Sequence, residues 1–388
     1  MAATVLVAAV VGAGGAAPAT ADAHRPQGVA RAGALLGQEA LPASFRTPAT
    51  GEALRVRYRS TAQDGSPDTV SGMVYLPKGR APHGGWPVVA WDHGTVGVAD
   101  GCAPSATGPD ERAHTMFESW LARGYAVVAT DYQSLGTDGE HAYLAGRSAA
   151  HATADIVRAA RHVDRRVGRD WAVYGHSQGG GAALFTAAYA PRYAPELDLR
   201  GAAAAAPPTH WSQMLDMGGM NDQAADANPY YAIIVSGMAT VSPGVDPADY
   251  LRPKGMEILR KARADACLAD ILKAGEGLKN SDFKYASPRN GAPEMASLLR
   301  EYAEPPVTLP RAHGSARAAK TPYRDPLLIV QGTADTTVPE VTSRKAAAEL
   351  RAAGAQVTYT PYKGVDHRSL PVTALNEVNT WLDARLTR

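Results

Sequence analysis

Ser177 lies in Gly175-His176-Ser177-Gln178-Gly179, a spacing that can lift a serine hydroxyl out of a tight strand-to-helix turn as a nucleophile. A serine hydroxyl attacks poorly at neutral pH, so it needs a base to take its proton and a carboxylate to orient and charge that base. Asp335, in Gln331-Gly332-Thr333-Ala334-Asp335, and His367, in Gly364-Val365-Asp366-His367, follow in the order Ser, acid, His. The chemistry such a set would carry is acyl transfer, which also needs two donors for the negative oxygen of the tetrahedral intermediate. The backbone N–H of Gln178, next after the serine, would be one. The other is expected from Asp92-His93-Gly94-Thr95, after an early strand, with Thr95 N–H preferred and Gly94 next.

Each of these residues also has a plainer reading. A chain with 38 glycines can produce a Gly-x-Ser-x-Gly string by chance, and a phosphate-cradling loop is glycine-rich too. The Lys-Ser/Thr that would follow such a loop is missing, however, and the glycines do not fit a dinucleotide fingerprint. A loop aspartate is often a turn former or helix cap, and a loop histidine is often merely solvated. Asp325 precedes its strand, and Asp366 should point away from a useful place beside His367. His176 would shape the turn rather than react. His141, His151 and His162 fall in a predicted helical region at spacings that make no single metal-binding face, and no His-Glu-x-x-His occurs. No metal and no cofactor are expected.

The elements that must position these residues follow from hydrophobic patterning. Leu54, Val56 and Tyr58 alternate with Arg55, Arg57 and Arg59, a half-buried strand whose hairpin partner carries Val70, Gly72 and Val74. Apolar runs then alternate with helical stretches: Val88 to Trp91, a helix about Met116 to Leu121, and Ala126 to Ala129. Next comes a crossover helix with Ala152, Ile156, Ala159 and Val163 on one side and Asp155, Arg158, Arg161 and Arg165 on the other. Trp171 to Tyr174 leads into the Ser177 turn and a helix from Ala182 to Tyr189, and Leu199 to Ala206 is again strand-like. The rhythm resumes at Leu327 to Val330, with a helix from Val341 to Ala353, a strand from Val357 to Tyr362 and a last helix presenting Leu375, Val378, Trp381 and Leu382. Such runs suit a mostly parallel sheet buried on both faces. Residues 209–322, with helical pieces at Tyr231 to Met238 and Met256 to Lys273 but no strand rhythm, read as a mainly helical cap. The catalytic domain is then 22–208 together with 323–388.

Lysine plus arginine number 39 against 38 acidic residues. With no block of like charge, electrostatic binding of nucleic acid is not expected, and a small or uncharged partner is. Thr4 to Val11 is a short apolar run, and Ala19-Thr20-Ala21 resembles the end of a secretory signal covering residues 1–21. Cys102 and Cys267 are either one bridge or two unpaired thiols. In an exported chain the bridge is expected.

With its turn, its Gly332-Thr333-Ala334-Asp335 loop and its late histidine, the chain resembles the α/β-hydrolase superfamily over roughly residues 50–388. Through Asp92-His93-Gly94-Thr95, Cys102-Ala103-Pro104-Ser105, Asp131-Tyr132 and the cap position, it is similar to the secretory lipase family. That resemblance implies the α/β-hydrolase fold, secretion, a lid over an acyl-binding tunnel, and hydrolysis of acylglycerols or simpler esters without a cofactor, with transient contact at a lipid interface. The rival enzyme reading keeps the triad but passes the acyl group to an alcohol or amine. A binding protein on a decayed hydrolase scaffold should have lost a triad member, and candidates for all three are present.

Overall fold

The computed structural model describes residues 1, 31–217, 220, 225–307 and 322–387. The expected leader at 1–21 lies outside them, apart from Met1. Nine strands form one sheet: β1 (Leu35–Ala40), β2 (Thr50–Thr61), β3 (Pro67–Pro77), β4 (Trp86–Asp92), β5 (Ala126–Thr130), β6 (Val167–His176), β7 (Asp198–Ala205), β8 (Leu327–Gly332) and β9 (Val357–Tyr362). Their order across the sheet is β1-β2-β3-β5-β4-β6-β7-β8-β9. The first three pair antiparallel with one another and onto β5. From β5 to β9 every pairing is parallel. This is the mostly parallel α/β-hydrolase sheet expected above.

Period-two patterning assigns each strand's residues to two cores. On one face Val89, Trp91, Val127, Tyr174 and Val330 pack with the helices Glu111–Ala122 and Leu375–Leu386. On the other, Val88, Ala90, Val128, Val173 and Ile329 pack with Gly146–Val163, Gln178–Tyr193 and Glu340–Ala352. Because both faces are covered, the central strands read as unbroken apolar runs.

Three expectations change. The edge strand β1 was not anticipated: nearly all its residues are exposed, so no alternation marks it, and only its ladder to β2 defines it. Asp155 does not lie on a solvated side of the crossover helix. It is buried, accepting from the Ser60 hydroxyl at 2.8 Å, the Tyr193 hydroxyl at 2.7 Å and Arg158 Nη1 at 2.8 Å, and burial pushes its carboxyl up to about 6. The single helix expected over Met256 to Lys273 is two, Pro253–Ala264 and Leu268–Gly275.

The break between those two helices falls at Cys267, which is bonded to Cys102. At the same place Gly97 forms an antiparallel bridge with Cys267, and Leu268 N–H donates to the Val96 carbonyl at 2.8 Å. Between β7 and β8 the described residues carry helices and no strand of the sheet, so this junction fastens that helical stretch to the loop after β4. A loop of 165 residues closed by a disulfide gains about 5 kcal/mol in the chain-entropy model. The double variant Cys102→Ser/Cys267→Ser should therefore melt about 7 °C lower in a calorimetric scan. An unchanged melting temperature would show that the bridge adds nothing to stability.

Candidate active site

The turn that carries Ser177 is set by close packing. A Cβ on Gly175 would lie 2.0 Å from the Gly179 carbonyl oxygen, and one on Gly179 would lie 1.9 Å from that of Asp92, so neither position tolerates a side chain. Ser177 itself adopts φ 58°, ψ −123°, a left-handed conformation that costs a non-glycine residue about 1–3 kcal/mol and is characteristic of functional sites. Its N–H donates to the Ala205 carbonyl at 2.9 Å and its own carbonyl accepts from Gly181 N–H at 3.1 Å, which hold the turn between β6 and its helix. Serine is a favoured N-cap residue, yet the Ser177 hydroxyl caps nothing. It is left uncommitted.

Asp335 and His367 are brought together. The buried Asp335 carboxylate accepts at Oδ1 from the backbone N–H groups of Thr337 (2.9 Å) and Val338 (2.8 Å). At Oδ2 it accepts from Gln331 Nε2 (3.1 Å) and pairs with His367 Nδ1 at 2.6 Å. Gln331 is in turn fixed by the Ser343 hydroxyl at 2.7 Å. With Nδ1 facing the carboxylate, the other ring nitrogen of His367 is the one available as a base. The His367 ring packs on His176, centroids 4.5 Å apart, beside the Ser177 turn. No hydrogen bond joins the Ser177 hydroxyl to His367, a contact that often tightens only when substrate is bound. Burial, with the nearby charges of His367 and Arg112, pushes His176 well below the usual histidine range, so His367 rests against a neutral ring. Asp366 turns aside to cap Ser369, taking its N–H and hydroxyl at 2.8 Å each.

The residues expected to supply the two donors border one space with Ser177. A cavity of about 260 Å³ is bordered by Ser177, Gln178 and Thr95, and the N–H groups of Gln178 and Thr95 donate to no acceptor among the described residues. The Gln178 N–H is one of the four that a helix start leaves free, at its positive end. Behind the Thr95 loop lies a buried polar support. The Tyr132 hydroxyl donates to the His93 carbonyl at 2.9 Å, with the two rings 4.4 Å apart. Asp131 takes the Ser71 hydroxyl at 2.6 Å and Ser105 N–H at 3.0 Å. Tyr132, quoted above only as a point of resemblance, thus anchors this loop, while its neighbour Asp131 ties Ser105 to Ser71 on β3.

Among the described residues the rest of the cavity lining is uncharged. Trp211, Met214, Tyr230, Ile234 and Leu272 line it from the stretch between β7 and β8, and a small pocket of about 20 Å³, lined also by Phe185, shares Leu144, Gln178, Pro208 and Trp211 with it. The other histidines stand apart. His141, expected in a helix, lies in the loop before one, buried with its Nδ1 against the Gln133 carbonyl at 2.8 Å. His151 is buried with Nδ1 against the Thr61 carbonyl at 3.2 Å, and His162 is exposed. No cluster of potential metal ligands occurs among the described residues.

A family model described as secretory lipase matches residues 107–388, most of the chain. The chain belongs to the secretory lipase family. This places its chemistry among the carboxylic ester hydrolases. The fold is similar to that of lipase A from Candida antarctica, with a TM-score of 0.71 and 19% identity over 92% of this chain and 84% of that one. It is also similar to the rice cell wall degrading esterase LipA from Xanthomonas oryzae, with a TM-score of 0.70 and 20% identity over 92% of this chain and 98% of that one. At such identities the likeness concerns the fold alone. No curated protein sequence matches the chain.

Proposed function

We propose that this secretory lipase family member is an exported esterase that works through an acyl-enzyme on Ser177, with residues 209–322 as its cap and the leader ending near residue 21. One observation supports this most strongly: an uncommitted serine hydroxyl on a strained turn shares a cavity with two backbone N–H groups that have no acceptor. His367 takes the Ser177 proton as Oγ attacks the ester carbonyl, and Asp335 steadies the imidazolium that forms. The carbonyl oxygen becomes an oxyanion held by Gln178 and Thr95 N–H groups. As the C–O bond breaks, His367 returns the proton to the leaving alcohol. Water then attacks the acyl-enzyme through the same base and releases the acid and free Ser177.

With no charged residue among the described residues that border the cavity, the acyl part is an uncharged, largely apolar chain. Incubation with a serine-reactive alkyl phosphonate, followed by peptide mass analysis, should place the adduct on Ser177 alone, and failure to label Ser177 would overturn the mechanism. Aryl esters of increasing chain length, assayed with and without lipid vesicles, then give the preferred acyl length and show whether an interface raises the rate.

A further inference from the structure

One pair of hydroxyls in the cavity is not used by the mechanism above. Thr95 Oγ1 and the Tyr143 hydroxyl oxygen lie 2.7 Å apart, and both residues border the space around Ser177 and Gln178. Two hydroxyls at that distance share one hydrogen, which leaves the second to find another acceptor. Neither oxygen has a further hydrogen-bond partner among the described residues. The direction of the shared bond follows from acidity. A phenol is a stronger acid than an aliphatic alcohol and so a better donor, while the alcohol oxygen is the better acceptor. Tyr143 is buried, and burial holds its phenol protonated, its pKa raised above the ordinary value. Tyr143 therefore donates to Thr95, and the hydrogen on Thr95 Oγ1 is the free one. A hydroxyl that already accepts a bond is polarised into a stronger donor.

We propose that the Thr95 side-chain hydroxyl is a third donor to the oxyanion, beside the backbone N–H groups of Gln178 and Thr95, and that Tyr143 is the positioning residue that holds and polarises it. This rests on the reading of the cavity as a serine esterase site. It adds a donor whose bond strengthens as the carbonyl oxygen gains charge, so its effect falls on the rate and not on ground-state binding.

The test uses four variants of the full-length enzyme on one aryl ester: Thr95→Val, Thr95→Ser, Tyr143→Phe and the double variant Thr95→Val/Tyr143→Phe. Thr95→Val keeps the shape and loses the hydroxyl. It should lower kcat about 30-fold with KM within about twofold, somewhat less than the roughly 100-fold or more for loss of one oxyanion donor, because two backbone donors remain. Thr95→Ser should recover most of that loss. Tyr143→Phe should lower kcat about fivefold, because the hydroxyl remains but is neither held nor polarised. On the Thr95→Val background the tyrosine change should do nothing further, since it acts through the hydroxyl already removed. A second readout is the inhibition constant of an alkyl boronic acid, which adds to Ser177 as a tetrahedral anion. It should weaken in Thr95→Val by the same factor as kcat/KM, a parallel that a general loosening of the site would not give.

A Thr95→Val enzyme with kcat within twofold of the parent overturns the proposal, as does Thr95→Ser no better than Thr95→Val, or a Tyr143→Phe effect that multiplies onto Thr95→Val. If Thr95→Val does not fold, the boronic acid constant of Tyr143→Phe decides: parent affinity overturns the proposal and weakened affinity supports it. A Ser177→Ala control that remains active would defeat the esterase reading itself. Inactive Ser177→Ala beside fully active Thr95→Val defeats only the third donor.

Discussion

Ser177→Ala should lower kcat on aryl esters by about 10⁶-fold and leave the melting temperature unchanged. The two halves of this expectation come from different features. The chemical half follows from the covalent step: without Oγ no acyl-enzyme forms, and only whatever the donors can do for attacking water remains. The structural half follows from the Ser177 side chain, which makes no hydrogen bond to its own helix, and from the turn, which is held by backbone bonds to Ala205 and Gly181 that alanine keeps. The backbone strain at φ 58° is equally present with alanine, so none is relieved. Steady-state assay of a preparation checked by calorimetry reads both halves. Ester hydrolysis within tenfold of the parent would remove Ser177 from the mechanism.

Asp335→Asn should cost about 10⁴-fold in kcat with little change in fold, and the reason lies in the four bonds the carboxylate accepts. Oδ1 receives two backbone N–H groups, from Thr337 and Val338. An asparagine must keep its carbonyl oxygen there, because an amide NH₂ cannot accept them. Its NH₂ is then forced toward His367 Nδ1, which faces Asp335 Oδ2 at 2.6 Å. Nδ1 must become an acceptor, so the ring proton moves to the other nitrogen and His367 can no longer take the proton of Ser177. The same NH₂ also meets Gln331 Nε2, a donor 3.1 Å from Oδ2. The variant should show its deficit across the pH range where the parent is active, with KM little altered. A kcat within tenfold of the parent would mean that Asp335 is only a turn former.

Much of the frame was legible in the sequence because burial on both faces leaves a simple mark: unbroken apolar runs separated by helical spacing. The tight turn at Ser177 was legible for a related reason, since the glycines at 175 and 179 answer to backbone atoms only 2 Å from where a side chain would begin. What the sequence hid was contact across distance. Tyr143 lies in a loop with no periodicity, and nothing in its neighbours along the chain announces Thr95. Asp155 has helix-surface spacing, and only the approach of Ser60 and Tyr193, 95 and 38 positions away, makes it a buried ion-pair member. The break at Cys267 likewise belongs to the loop after β4 and not to the helix in which it was expected.

The Cys102–Cys267 bond turns residues 102–267 into a covalent ring, with the Ser177 turn inside it and Asp335 and His367 on the tail that leaves it. A protease that cuts the main chain once anywhere between these cysteines releases no fragment. The nicked molecule stays in one piece under non-reducing conditions, its two parts joined through Cys102 and Cys267. A single cut in the tail before Asp335 has no such tether, and separates Ser177 from Asp335 and His367 as two chains held by packing alone. A single nick anywhere from 102 to 267 therefore leaves the molecule covalently whole, and covalent unity is lost only where the chain lies beyond the ring.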